Sequence, residues 1–403
     1  MSALARHRAV LVFLAFAFAY FFSAVLRAIT ATLAPTLTAE FALNAQELGL
    51  LAGAVFLGFA LPQLPLGRWL DRHGPQRVML GFMLVAIAGC VAFSLAGSFA
   101  GLLAARLLCG VGVSACLMAP LTGYRHWLDA PAQLRANSWM LMTGSLGMVA
   151  STLPVQWLMP RIGWRPIFWI VAAGIALASI AIAVLLPRWT VATHDDEGRP
   201  ASYSQVWRHR YFRRMTPIGF FNYGGMIAIQ SLWAGPWMVR VSGYDAAQAA
   251  QGLFFINVSM LATFWSWGLL NPTLQRRGIT TDKLIACGLP LSLAVLGGIV
   301  WAGPSAGAGA WALFCVTSTF VSLAQPAVGM AFPSVLAGRA LSAYNLVIFA
   351  GVFVVQWGIG LLVDALRAVG WDAAHAFRGA MAAFLACCVF GYGWFMVTRD
   401  NHR

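Results

Sequence analysis

Two arginines stand where arginine is costly. Arg27 falls in the apolar run 9–36 and Arg106 in the run 99–122, with no acid, histidine or lysine beside them. A guanidinium is a permanently charged planar fork matched to the oxygens of a carboxylate or a phosphate. At membrane depth such a charge costs ~2.5–3.5 kcal/mol on insertion scales, which makes it a functional candidate by default. Arg27 has polar company. In a helix, steps of three or four residues place Tyr20, Ser23, Arg27 and Thr30 on one face. The chemistry offered is the grip of an anion. The competing reading is a side chain that reaches the outer surface along its apolar stem.

Neutral polar side chains within the later apolar runs extend the candidate set. They are Asn222, Gln230 and Trp233, then Asn257, Gln325, Asn345 and Gln356. Gln230 and Trp233 are three residues apart and are expected to share a helix face. Amides in lipid also serve as glue between helices, so each has a structural reading beside the substrate-binding one.

The absences narrow the chemistry. The acids are Glu40, Glu47, Asp71, Asp129, Asp195, Asp196, Glu197, Asp245, Asp282, Asp364, Asp372 and Asp400, all at run ends or in loops. The histidines are placed in the same way. An embedded enzyme needs a nucleophile and base, or metal ligands, at reachable depth. None converges in the sequence, so no cofactor or metal is expected. A deep carboxylate for proton relay is missing too.

The elements that must position these residues are legible from composition. Of 403 residues 60% are hydrophobic and 9% charged, with 17 Trp and 27 Phe. No soluble core hides that much apolar surface, so the solvent for most of the chain is the lipid bilayer. The net charge of +14 then reads as topology and inner-leaflet attraction, with no nucleic-acid partner. Apolar runs separated by short polar breaks give about twelve spans. The apolar run after Arg6 and Arg8 is too long for a secretory leader and reads as an uncleaved first span. The longest polar segment, 188–214, is the expected linker between halves at 1–187 and 215–403. With both termini in the cytoplasm, the outer side carries only Arg161, Arg165, Arg240, Arg367 and Arg378, as the positive-inside rule demands. The seven cysteines all fall in apolar runs and are expected to be small buried hydrophobes.

One charged turn stands apart. Gly67-Arg68-Trp69-Leu70-Asp71-Arg72-His73-Gly74-Pro75-Gln76-Arg77 is wedged between two span-length runs. Asp71 sits at a helix C-terminus, where a carboxylate needs a cation or another helix's N-terminus. Gly67 is small enough for a neighbouring helix to approach, and Gly74 permits a sharp reversal. The turn resembles the signature between helices 2 and 3 of the major facilitator superfamily of transporters. That resemblance implies a conformational latch made by Gly67, Asp71, Arg72, Gly74 and Arg77. Pro75 and Gln76 depart from it, since the family usually has basic residues there. Asn271–Gly278 is a degenerate second copy at the corresponding place of the second half. Arg106-Leu107-Leu108-Cys109-Gly110-Val111-Gly112 resembles the family's helix 4 pattern, and Gly163-Trp164-Arg165-Pro166-Ile167-Phe168 its helix 6 start.

The resemblance implies an all-α integral membrane protein, with twelve transmembrane helices in two pseudo-symmetric six-helix bundles. It also places helices 1, 4, 7 and 10 around a central site, with faces of 2, 5, 8 and 11 contributing, which makes Tyr20, Ser23, Arg27, Arg106, Asn222, Gln230, Trp233, Gln325 and Asn345 the expected substrate contacts. The position of Arg27 resembles the helix 1 arginine of organic-phosphate antiporters and anion:cation symporters. Val113 stands where the latter often carry a carboxylate, and helix 5 lacks the Gly-Pro pair of drug/proton antiporters. The expectation is a monomeric secondary transporter of a small organic anion in a bacterial inner membrane, working by alternating access. Proton symport, anion exchange and uniport all stay open. The alternatives are efflux of drugs or amphiphiles and, more remotely, a membrane-embedded enzyme.

Overall fold

The structure, a computed structural model, describes residues 5–187, 189 and 203–398, and for some helical residues, Asp71 among them, the backbone alone. Every regular element among the described residues is helical. Nine of these helices are long and apolar enough to cross a membrane. Their outward faces carry Leu84, Leu177, Ile180, Val184 and Trp301, all exposed. That surface suits hydrocarbon and would be untenable in water.

Two compact units form: Met1–Ile29 with Ala54–Gly198, and Thr30–Gly53 with Arg199–Arg403. The first helix from Thr30 onward and the start of the second therefore belong to the same unit as the C-terminal half. The polar stretch expected as linker is helical at its end. Tyr203–Arg208 and Arg210–Pro217 are short helices, and Val206 and Phe212 are fully buried in the second unit's core with Tyr344 and Phe395.

In the first unit the helix-4 glycines permit the close approach of neighbours. A Cβ at Gly110 would lie 2.1 Å from the carbonyl oxygen of Val55, and one at Gly112 would lie 2.2 Å from the backbone nitrogen of Ala86. Any larger residue would push the helices apart and, with them, the site that Arg106 occupies one turn earlier. At the opposite end, the Arg165 guanidinium lies over Trp164 at 4.3 Å and donates to the Ala96 carbonyl at 3.2 Å. Ala96 ends the helix Gln63–Leu95. The helix 6 motif thus ties two helix ends together.

The second unit is organised differently. Its run from Arg210 to Arg240 is one helix interrupted by two π-helical segments, Ile218–Tyr223 and Ile229–Trp233. The helix Ala45–Ala60 starts with a reciprocal cap, Asn44 Oδ1 accepting from the Glu47 N–H at 2.7 Å and Glu47 Oε2 accepting from the Asn44 N–H at 3.0 Å. A second carboxylate, from far along the chain, caps the same helix. Asp364 accepts from the Ala45 N–H at 3.2 Å and the Gln46 N–H at 2.6 Å. Glycines permit this contact. A Cβ at Gly360 would meet the Ala45 carbonyl oxygen, and one at Gly49 the Gln356 carbonyl oxygen, each at 2.3 Å.

Candidate functional site

The polar stripe of the first helix forms as the helical spacing demands. Tyr20, Ser23 and Arg27 are all buried, with Arg27 only 7% exposed. Arg27 donates its Nε proton to the Ser23 carbonyl, one turn back, at 3.3 Å. Its guanidinium carbon lies 5.5 Å from the centre of the Tyr20 ring and 5.6 Å from that of Phe59, within cation–π range. No carboxylate pairs with it among the described residues, and its two terminal nitrogens meet no protein acceptor there. The Ser23 hydroxyl oxygen is likewise buried without a partner. Tyr20 is held from behind by Gly144, where a Cβ would come within 2.6 Å of its ring. The result is a desolvated cation, braced by aromatics, with its fork uncommitted.

Arg106 is fully buried in the same unit. It donates to the Leu26 carbonyl at 2.9 Å and lies over Phe93 at 5.8 Å. Since Leu26 precedes Arg27 in the chain, Arg106 braces the backbone that carries the candidate ligand. The two arginines thus belong to one neighbourhood with unequal commitments.

The expected polar residues of the second unit form amide pairs. Gln230 donates to Asn257 Oδ1 at 2.9 Å, and Gln356 to the Ser231 hydroxyl at 2.9 Å. Gln325 donates to Asn345 Oδ1. Asn222 donates to the Cys388 carbonyl at 3.3 Å, while its own oxygen is buried without a partner. Trp233 donates to the Gln356 carbonyl at 3.0 Å. Gln230 and Trp233 therefore turn to different neighbours. Both lie in the second π segment, whose i→i+5 hydrogen bonding widens the turn. No sequence signal marks these segments, which carry Asn222 in the first and Gln230 and Trp233 in the second.

At the charged turn, Gly74 has φ 76° and ψ 162° and lies against Trp189, where a Cβ would come within 2.3 Å. The expected reversal is there, and only glycine fits it. Arg72 and Arg77 are exposed, and the side chain of Asp71 lies outside the described residues. At Gly67 the expected close approach does not occur: nothing lies within 4 Å of where a Cβ would sit. Gln76, the departure from the family pattern, has its own task. Its amide donates to the carbonyls of Ile182 and Ala183, at 3.2 and 2.9 Å. These belong to the last turn of the helix Trp164–Leu185, whose carbonyls have no partners within the helix. The cysteine expectation needs one correction. Cys287 is exposed and Cys387 half-buried, because an apolar run has a lipid face as well as a buried one.

Two clusters were not legible in the sequence. Arg214, at the end of the expected linker 188–214, is buried and paired with Asp282, 68 positions away. It also donates to the Phe395 carbonyl at 3.0 Å and lies over that ring at 4.1 Å, while the Tyr211 hydroxyl donates to Asp282 at 2.8 Å. Burial, then the neighbouring carboxylate, pushes the Tyr211 phenol well above its usual range. The other is the cap Asp364 supplies. No group of three or more potential metal ligands converges among the described residues.

The described residues form a polytopic helical chain with buried arginines in its apolar helices. Residues 16–356 match the family model of the Major Facilitator Superfamily, and the chain belongs to that family. Among curated relatives it is 24% identical to a probable sulfoacetate transporter of Cupriavidus necator, over 71% of this chain and 69% of that one. It is 22% identical to a niacin transporter of Acinetobacter baylyi, over 67% and 69%. It is 26% identical to a multidrug resistance protein of Escherichia coli, over 63% and 65%. In fold it superposes on a bacterial homologue of the human lysosomal transporter Spinster with a TM-score of 0.78 at 16% identity, covering 98% of both chains. It also superposes on a D-xylose–proton symporter with a TM-score of 0.79 at 13% identity, covering 97% of this chain and 98% of that one. The protein is a multi-pass membrane transporter with the fold of that family.

Proposed function

We propose that this transporter moves a small organic anion, of carboxylate or phosphate type, across a bacterial inner membrane by alternating access. Both termini would face the cytoplasm, and the halves 1–187 and 215–403 would rock as bodies joined by 188–214. The observation that carries the reading is Arg27: buried, braced on two rings, and with its terminal nitrogens uncommitted among the described residues. A buried cation without a counter-charge is unfavourable until an anion arrives, so the site selects for one. Arg106 supports the backbone beneath it, and Tyr20 and Ser23 line the approach. Sulfoacetate and niacin, named for two relatives, fit the class.

Efflux of drugs or amphiphiles is the second reading, favoured by the multidrug resistance relatives. Uptake of radiolabelled sulfoacetate and niacin into proteoliposomes separates the two. Anion uptake that disappears in Arg27→Ala, at unchanged protein abundance, supports anion transport. Uptake or release of lipophilic cations alone, unaffected by Arg27→Ala, refutes it. Substrate concentrated above equilibrium by an imposed pH gradient identifies proton coupling, and its absence leaves exchange or uniport.

A further inference from the structure

A second cation-lined space lies wholly within the unit made of Thr30–Gly53 and Arg199–Arg403. It is a cavity of about 390 Å³, within the range of small-molecule pockets. Trp233 and Phe377 line it, with their rings in edge-to-face contact at 5.9 Å. Arg240 and Arg367 line it from the last turns of two different helices. Neither guanidinium has a hydrogen-bond or ion-pair partner among the described residues.

A cation in the last helical turn is ordinary, because the helix dipole favours it. What is not ordinary is the company. Among the described residues Asp364 is the only acid on the cavity's lining, and both its oxygens are already engaged by the N–H groups of Ala45 and Gln46. That carboxylate is therefore engaged at a helix N-terminus. The cavity presents two exposed arginines and an apolar wall backed by the buried rings of Trp233 and Phe377, with no free carboxylate among its described lining residues. Its complement is an anion carrying an apolar or aromatic body.

We infer that this cavity is an anion-receiving chamber on the outer side of the membrane, distinct from the Arg27 site, in which Arg240 and Arg367 hold the acidic group and Trp233 and Phe377 the body. The assignment of side and substrate class rests on the proposed function. The chamber adds a weaker binding step that raises the local concentration of anion where transport begins or ends. A solvent-open pair of arginines acts largely through its field, so its contribution falls as salt rises.

The test is equilibrium binding of sulfoacetate and, as an aromatic probe, benzoate to the purified full-length protein in detergent, at low and at physiological salt. Wild type is expected to bind two equivalents, the weaker one lost as salt rises. The double variant Arg240→Gln, Arg367→Gln is expected to lose the weaker, salt-sensitive equivalent by about tenfold in Kd. Arg240→Lys with Arg367→Lys, which keeps the charges, is expected to restore most of it. Arg27→Gln should lose the tighter equivalent and spare the weaker. If the glutamine pair binds both probes as wild type does, the chamber is overturned, while the Arg27 result still decides the transport reading. Absence of saturable binding of both probes to wild type overturns it as well. A lipid headgroup shares the anion's chemistry. Displacement of neither probe, but saturable binding of a short-chain phosphatidylglycerol that the glutamine pair abolishes, reassigns the arginines to lipid and overturns the proposal.

Discussion

The buried polar groups of the two units are handled in opposite ways. In the first unit the buried charges among the described residues, Arg27 and Arg106, are bonded to backbone carbonyls and aromatic faces, beside one neutral amide, Gln63, that donates to the Phe59 carbonyl. In the second they are neutral amides bonded to one another, Gln230 to Asn257 and Gln325 to Asn345, with Gln356 on the Ser231 hydroxyl. A neutral amide pair is satisfied by its partner and holds helices together at little electrostatic cost. A buried cation on a carbonyl stays electrostatically unbalanced, because a carbonyl is a dipole and carries no counter-charge. On the proposed function the first arrangement receives a ligand, and the second builds a wall. Arg214, the one buried cation of the second unit among the described residues, obeys the second rule, for Asp282 neutralises it.

That contrast can be broken most directly at Arg27. Arg27→Met is expected to lower the uptake kcat/KM by about 10- to 100-fold, since each charge-assisted hydrogen bond to substrate is worth ~1.5–3 kcal/mol. Its melting temperature in detergent should hold or rise, because an unneutralised buried charge has been removed. A lower melting temperature with normal uptake would show that the guanidinium is structural and the comparison mistaken.

Gln230→Leu should behave in reverse. It leaves Asn257 Oδ1 buried without its donor, at a cost of ~1–3 kcal/mol, so melting falls while the KM of the surviving protein is unchanged. Adding Asn257→Leu should recover part of the loss in a double-mutant cycle. A KM that rises in Gln230→Leu at normal stability would move this amide from the wall to the site.

A smaller effect is expected at the Asp364 cap. Asp364→Ala removes the acceptor for two N–H groups of a helix start and should cost ~0.5–2 kcal/mol, as a lost N-cap does. Asp364→Asn should lose less, because its oxygen still accepts. Thermal melting of the two variants side by side measures the difference.

The smallest concerns an exposed cap. The His375 N–H, then the His375 ring, hold the Asp372 carboxyl below its usual range. A depressed folded-state pKa contributes stability above the unfolded value and loses it as pH falls through the folded one. Melting temperature should therefore decline slightly on acidification below about pH 4, and that increment should vanish in Asp372→Asn. An unchanged acid dependence in the variant would remove the cap from the account.

The polar stripe on the first helix was legible because it is local: Tyr20, Ser23 and Arg27 are related by helical spacing alone, and the helix is regular there. The Gly74 reversal was legible for the same reason, since a positive φ between two helices asks for glycine. The π-helical turn that carries Gln230 and Trp233 was not legible, because the hydrophobic pattern there asks only for an α-helical period. Arg214 read as a loop cation because its partner is remote in the chain, and linear charge counting cannot distinguish a paired charge from a solvated one.

By itself, the sequence determined the solvent, the helices and the rarity of charge within them. Those follow from hydrophobic run lengths and from the cost of ionised groups in lipid, and both act residue by residue. Only the tertiary structure decided which polar groups would be spent on one another. Amide pairs, the Asp364 cap and the Arg214–Asp282 bridge each join positions that only packing brings together, whereas the uncommitted fork of Arg27 becomes visible once every nearby acceptor has been placed. Hydrogen bonds and ion pairs are short-ranged, so their partners are fixed by geometry that no local pattern encodes.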